Sequence, residues 1–120
     1  MPDDAAEATR RAGFRAAQSV RCTWRGFEMQ HRYEDLALIQ SVLEESRPPW
    51  AMELGTAAGG FAAFLAETLA AWGGRVLTVE VAPAPDLLAQ VFDNLVVLTA
   101  DLLHGDVEHV QAELAQLAQD

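Results

Sequence analysis

A chain of 120 residues, 51% hydrophobic and 22% charged, has the size and composition of a single globular domain with one modest core. Its formal net charge is −10, and seven of its eight basic residues lie at or before Arg47; this argues against a nucleic-acid backbone as partner, because phosphate binding needs clustered cations. Lysine is absent, which excludes both a Walker A phosphate loop and Schiff-base chemistry. Residues 1–20 are rich in alanine and arginine and read as a helical arm. Arg10, Arg11, Arg15, Arg21 and Arg25 are expected to be a solvated surface, with a small basic face as the alternative. The opening "MPDDAAEATRR" lacks an apolar h-region, so no secretory signal is expected. The lone Cys22 gives no disulfide framework and fits a reducing cytosol.

"CTWRGFEMQHRYEDL" reads as an irregular structured loop, with Gly26 and scattered aromatic residues. From Tyr33 to Ser46, Leu36, Ile39 and Leu43 recur at helical spacing, and "RPP" stops the helix because proline removes a donor and restricts its predecessor. "WAMEL" predicts a short strand entering Gly55. The next segment puts Phe61, Phe64, Leu65, Thr68, Leu69 and Trp72 on one helical face, closed by Gly73 and Gly74. Its apolar run is short and carries Glu67, so no membrane span is expected. "RVLTVEV" predicts a second strand, "APAPDLLAQVF" a turn and short helix, and "NLVVLTA" a third strand ending before Asp101. A last helix from about Asp106 aligns Val107, Val110, Leu114 and Leu117.

This alternation implies an α/β fold: a parallel sheet of three strands, order 3-2-1, with flanking helices. That is half of a doubly wound sheet, which normally has two such units. The expected domains are the arm at 1–20 and a cofactor-binding domain at 21–120.

The turn "ELGTAAGG", residues 53–60, carries the chemistry. A dinucleotide fingerprint would place its middle glycine at Ala57, whose methyl group takes the room that a diphosphate needs. The pattern acid-x-Gly-x-(Gly/Ala)-x-Gly instead fits Glu53, Gly55, Ala57 and Gly59 in register. It is the first motif of class I S-adenosylmethionine-dependent methyltransferases, whose cofactor has no phosphate. The amino-acid carboxylate of that cofactor can use helix N-terminal amides, and Glu53 can face its ammonium group. Glu80 ends the second strand and could accept from both ribose hydroxyls; Asp101 follows the third and could accept from the adenine amino group. Each acid alone reads equally well as a solvated strand-end carboxylate. Glu80 would serve a NAD site too, so the discrimination rests on Ala57 and Glu53. The expected cofactor contacts are Glu53, Gly55, Thr56, Ala57, Gly59, Gly60, Glu80 and Asp101, with no catalytic residue assigned.

The residues from Thr23 to Gly60 also resemble the cephalosporin hydroxylase / rhamnosyl O-methyltransferase family. Trp24, Gly26, Gln30, Asp35, Leu36, Gln40, Arg47, Pro48 and Glu53 to Gly60 follow the order of its motifs, and "VLTVEV" and "NLVVLTADLLHGD" resemble its second and third strands. The resemblance covers residues 20 to 118. It implies a Rossmann-like fold and methyl transfer from S-adenosylmethionine to a hydroxyl of a sugar, glycolipid or small metabolite. It also implies a magnesium ion held by carboxylates after a fourth strand, beyond Asp120, together with most of the acceptor pocket. On that reading the chain is the amino-terminal half, with no metal ligands of its own. The alternatives are an inactive cofactor-binding or interaction module and, less favoured, a NAD-binding fragment. The family pattern departs at Phe61, where serine is common. Trp24 and Gln30 are read either as packing or as closing over the cofactor. His104 reads as a solvated loop histidine, with a base role as alternative, and Asp106 as the cap of the last helix. Without a fourth strand, "WAMEL" would be an exposed apolar edge, so a homo-oligomer or a partner chain completing the sheet is expected.

Overall fold

The computed structural model describes residues 5–8, 22–82 and 86–119. Most of the expected arm therefore lies outside the described residues, including Arg10, Arg11 and Arg15, as does Arg21 just after it; residues 5–8 are helical. The elements in order are β1 (Cys22–Trp24), β2 (Phe27–Met29), α1 (Tyr33–Ser46), β3 (Trp50–Leu54), α2 (Gly60–Ala70), β4 (Arg75–Glu80), α3 (Asp86–Val91), β5 (Leu95–Thr99) and α4 (Val107–Gln119).

Strands β3, β4 and β5 lie side by side in that order, all parallel. Register pairs Glu53 with Thr78 and Glu80 with Thr99, so the two acids stand near the carboxyl end of the sheet. Side-chain alternation divides the core. Val76 and Leu95, with Ala51 and Val97, pack against α2 and α3 on one face. Leu77 and Val79, with Val96 and Leu98, pack against Val110, Leu114 and Leu117 of α4 on the other.

Helix α1 ends where the sequence predicts. Arg47 takes the left-handed conformation (φ 44°) and donates its amide to the Leu43 carbonyl, and the two prolines follow. Trp72 then donates its indole N–H to the Pro48 carbonyl at 2.8 Å, tying the entry of β3 to the end of α2. Helix α2 is buried on more than the one face its apolar spacing predicts: Ala62, Ala63 and Ala66 are fully enclosed along with Phe64 and Leu69. The alanines allow it, because a helix flanked by a sheet, a helix and a further layer has no room for long side chains all round. Burying Phe64 alone contributes about 2–3 kcal/mol.

That further layer corrects one expectation. Residues 22–29 are an antiparallel hairpin, not an irregular loop, with Cys22 opposite Met29 and Trp24 opposite Phe27. Its two-residue turn, Arg25-Gly26, has positive φ at both positions (51° and 85°), the backbone that matches strand twist. The hairpin docks on the first turns of α2. Trp24 meets Phe64 edge-on at 5.2 Å, and its indole N–H donates to Glu67 at 2.8 Å. Arg25 also pairs with Glu67, holding that carboxyl below its usual range. The hydrogen bond from the Tyr33 hydroxyl to the Thr23 carbonyl joins the hairpin to α1.

Candidate functional site

The turn from Gly55 to Gly59 lies where β3 passes into α2 at the carboxyl edge of the sheet. Gly55 (φ +94°) and Gly59 (φ +95°) take backbone that side chains disfavour, and a Cβ on Gly55 would meet nothing within 4 Å. Backbone there is open to a ligand. Gly59 differs, since its missing side chain makes room for Leu88 of α3. Gly60 differs again: a Cβ would stand 2.6 Å from the Glu28 carbonyl oxygen, so this glycine is required by the hairpin. Ala57 is itself left-handed (φ 48°), a strained conformation for a residue with a side chain. Helix α2 has no side chain capping its N-terminus, which leaves its first amides available to an anionic group.

Beneath the turn runs a short hydroxyl chain. Thr78, wholly buried in β4, donates to Glu53 Oε1 at 2.6 Å. Its single proton is thereby used, so the buried Thr56 hydroxyl, 2.7 Å away, donates to Thr78. Burial pushes the Glu53 carboxyl up to about 6; the Thr78 bond opposes this, and the charge of Glu80 reinforces it. Glu80 accepts from the Ala57 amide at 3.0 Å, which holds the strained residue in place. Two carboxylates and the glycine turn thus form one unit, with Thr78 as its support. Asp101 stands apart from this unit. Its oxygens accept from the Leu103 amide and pair with His104 Nδ1, while its own amide donates to Asp106. Asp106 stands just before α4, its carbonyl accepting from the Val110 amide, while its carboxylate turns back to the Asp101 amide. His104 is exposed.

Two clefts meet at Gly55. One, about 310 Å³, is bounded by the turn, Glu53, Gln30, His31 and Phe61. The other, about 360 Å³, lies beyond Leu54 and is bounded by Glu80, Asp101 and the apolar side chains of Val81 and Leu103. Leu103 is 90% exposed. Thr78, His31, Val81 and Leu103 were not legible as site residues. Thr78 reads as ordinary β-branched strand, and His31 reaches the cleft only because the hairpin carries it there. The apolar residues just past the acids at the ends of β4 and β5 were the available signal. Trp24 faces α2 rather than the cleft, and its role is packing. Among the described residues no group of three His, Cys, Asp or Glu side chains could hold a metal ion. No described helix is long and apolar enough to cross a membrane.

No family model and no curated protein matches the chain. Solved structures do. A cmcI structure with Mg-SAM aligns with a TM-score of 0.59 and 22% identity, covering 68% of this chain and 36% of that one. A second cmcI structure, with SAH, aligns at 0.57 and 22% identity, covering 72% of this chain and 46% of that one. The chain therefore spans less than half the length of either cmcI chain. At this identity the likeness is one of fold, and there it agrees with the cephalosporin hydroxylase resemblance in the sequence.

Proposed function

We propose that this chain is the cofactor-binding half of a Rossmann-like, S-adenosylmethionine-dependent O-methyltransferase of the cephalosporin hydroxylase kind, with the domain over 21–120 and the arm before it. The observation that carries the reading is the unit of Glu53, Glu80 and the Gly55–Gly59 turn, joined by the bond from the Ala57 amide to Glu80. Both cmcI structures named above carry this cofactor or its product, which supports the same assignment. When bound, S-adenosylmethionine supplies a methyl group on a sulfonium.

The residues present suit that molecule. Glu53 faces the ammonium group, and the uncapped amides of α2 face the carboxylate. Glu80 accepts from the ribose hydroxyls, giving up its bond to Ala57 or sharing it. Val81 and Leu103 offer apolar surface to the adenine, and Asp101 keeps lone pairs beyond those its loop uses. The methyl of Ala57 and the absence of lysine disfavour the diphosphate of NAD. Calorimetric titration with S-adenosylhomocysteine and with NAD tests this. Heat from NAD alone would overturn the assignment. The acceptor is a sugar, glycolipid or small-metabolite hydroxyl. An inactive cofactor-binding or interaction module is the second reading. A cytosolic setting suits the free thiol of Cys22.

The raised carboxyl of Glu53 makes binding pH-dependent. In the free protein the folded state holds the proton more tightly than the unfolded chain. Glu53 therefore favours folding at acid pH, and that advantage is lost as pH rises through about 6. An ammonium ligand requires the ionised form. S-Adenosylhomocysteine affinity should rise about tenfold between pH 5 and pH 7, with release of about half a proton at pH 6. Glu53→Gln should flatten this profile, and a flat wild-type profile would remove Glu53 from the ammonium site.

A partner at the sheet edge belongs to the same proposal. Trp50, Met52 and Leu54 are 36%, 38% and 60% exposed on the face away from α2, and β3 pairs on one side only among the described residues. From Trp50 to Leu54 the strand holds no lysine or proline, and its register with β4 is unbroken. At tens of micromolar the chain should sediment as a dimer or larger species, and Met52→Lys should return it to monomer. A wild-type monomer would sink the idea.

A further inference from the structure

The first cleft is also lined by the segment joining β2 to α1, which carries His31. The imidazole lies flat on Phe61, with ring centroids 4.0 Å apart and planes at 17°. Phe61 in turn stacks on Phe64 in the core, so the ring is fixed from below. His31 Nδ1 is buried and has no hydrogen-bond partner among the described residues.

That orphan atom decides what the ring can do. A proton on Nδ1 would be a buried donor with nothing to receive it, and orphaned buried N–H groups are rarer than under-satisfied acceptors, so the bare nitrogen is the less costly form. The neutral ring therefore carries its proton on Nε2. As a base, His31 would need the Nε2 lone pair and a buried Nδ1–H, which is the disfavoured form. As a donor it is already in the required tautomer.

We infer that His31 is a cofactor-positioning residue whose Nε2–H donates to the amino-acid carboxylate of the bound cofactor, in the cleft that Glu53 also lines. The inference rests on the S-adenosylmethionine reading above. The two charged ends of one amino-acid moiety would then be divided between two walls: ammonium to Glu53, carboxylate to His31 and the first amides of α2. His31 would thereby set which way round the moiety sits.

His31→Phe tests this, since it keeps the stack on Phe61 and deletes the donor. S-Adenosylhomocysteine should bind the variant about tenfold more weakly than wild type. 5′-Methylthioadenosine, which lacks the amino-acid end, should change less than twofold. His31→Gln, which restores an N–H, should recover part of the loss. Nitrogen-15 NMR of the free wild-type protein should find Nε2 protonated and Nδ1 bare. Equal weakening of both ligands by His31→Phe, or no weakening, would reduce His31 to a structural wall; an Nδ1–H tautomer would also overturn the donor role. If wild type bound neither ligand, the cofactor reading would fail first and the role of His31 with it.

Discussion

Glu80→Ala is expected to weaken S-adenosylhomocysteine binding by on the order of a hundredfold. Two hydrogen bonds from ribose hydroxyls to a carboxylate that must give up or share its bond to Ala57 are worth about 1.5 kcal/mol each, and every 1.4 kcal/mol is about tenfold. The free protein loses something as well. Glu80 accepts from the amide of Ala57, whose left-handed backbone costs about 1–2 kcal/mol and is held by its surroundings. Without that acceptor the turn loosens, and hydrogen exchange at the Ala57 amide should accelerate. The charge of Glu80 also helps to raise Glu53, so the Glu53 carboxyl should titrate lower in the variant. Adenosine alone should lose affinity in parallel, since it carries the same ribose. Unchanged affinity for both ligands would remove Glu80 from the site and with it the register on which the cofactor assignment depends.

Different parts of the sequence made the site legible to different degrees. The strands and α1 could be read because their signals are local: β-branched runs, the spacing of Leu36, Ile39 and Leu43, and the prolines after Arg47. Glu53 and Glu80 could be placed at one sheet edge because strand ends in a parallel sheet share an edge whatever packs around them. The hairpin could not be read. Its strands are three residues each, Arg-Gly is a weak turn signal, and what stabilises it is its seat on α2. Thr78 was hidden for a similar reason. Its hydroxyl matters because register sets it beside Glu53, which no spacing within β4 reveals. Asp101 was legible only in part. Its position at the strand end was legible, but the turn through Leu103, His104 and Asp106 engages its carboxylate before any ligand arrives.

Gly60→Ala should test how the hairpin and the site depend on each other. In an ordinary helix this change is neutral or favourable, since alanine is the better helix former by about 1 kcal/mol. Here the added methyl carbon would stand 2.6 Å from the Glu28 carbonyl oxygen, 2.6 Å from Met29 Cβ and 2.7 Å from the Phe27 carbonyl oxygen. Two of the three are backbone, so no rotamer change relieves the clash and β2 must move away from α2. That movement uncovers Met29 and Cys22, now 6% and 7% exposed, and pulls Trp24 from Phe64 and Glu67. The steric loss outweighs the helix preference, and a net cost of about 2–4 kcal/mol follows. For a domain of this size Tm should fall by roughly 10 °C or more. Trp24 emission should shift to the red as the indole leaves its partners. The same displacement carries Gln30 and His31 off the cleft, so any S-adenosylhomocysteine affinity should fall even below the melting transition. A variant that melts with wild type and keeps the Trp24 emission would mean that the hairpin does not sit on Gly60. A variant that melts early but binds normally while folded would mean that the hairpin supports the core without forming the cofactor wall.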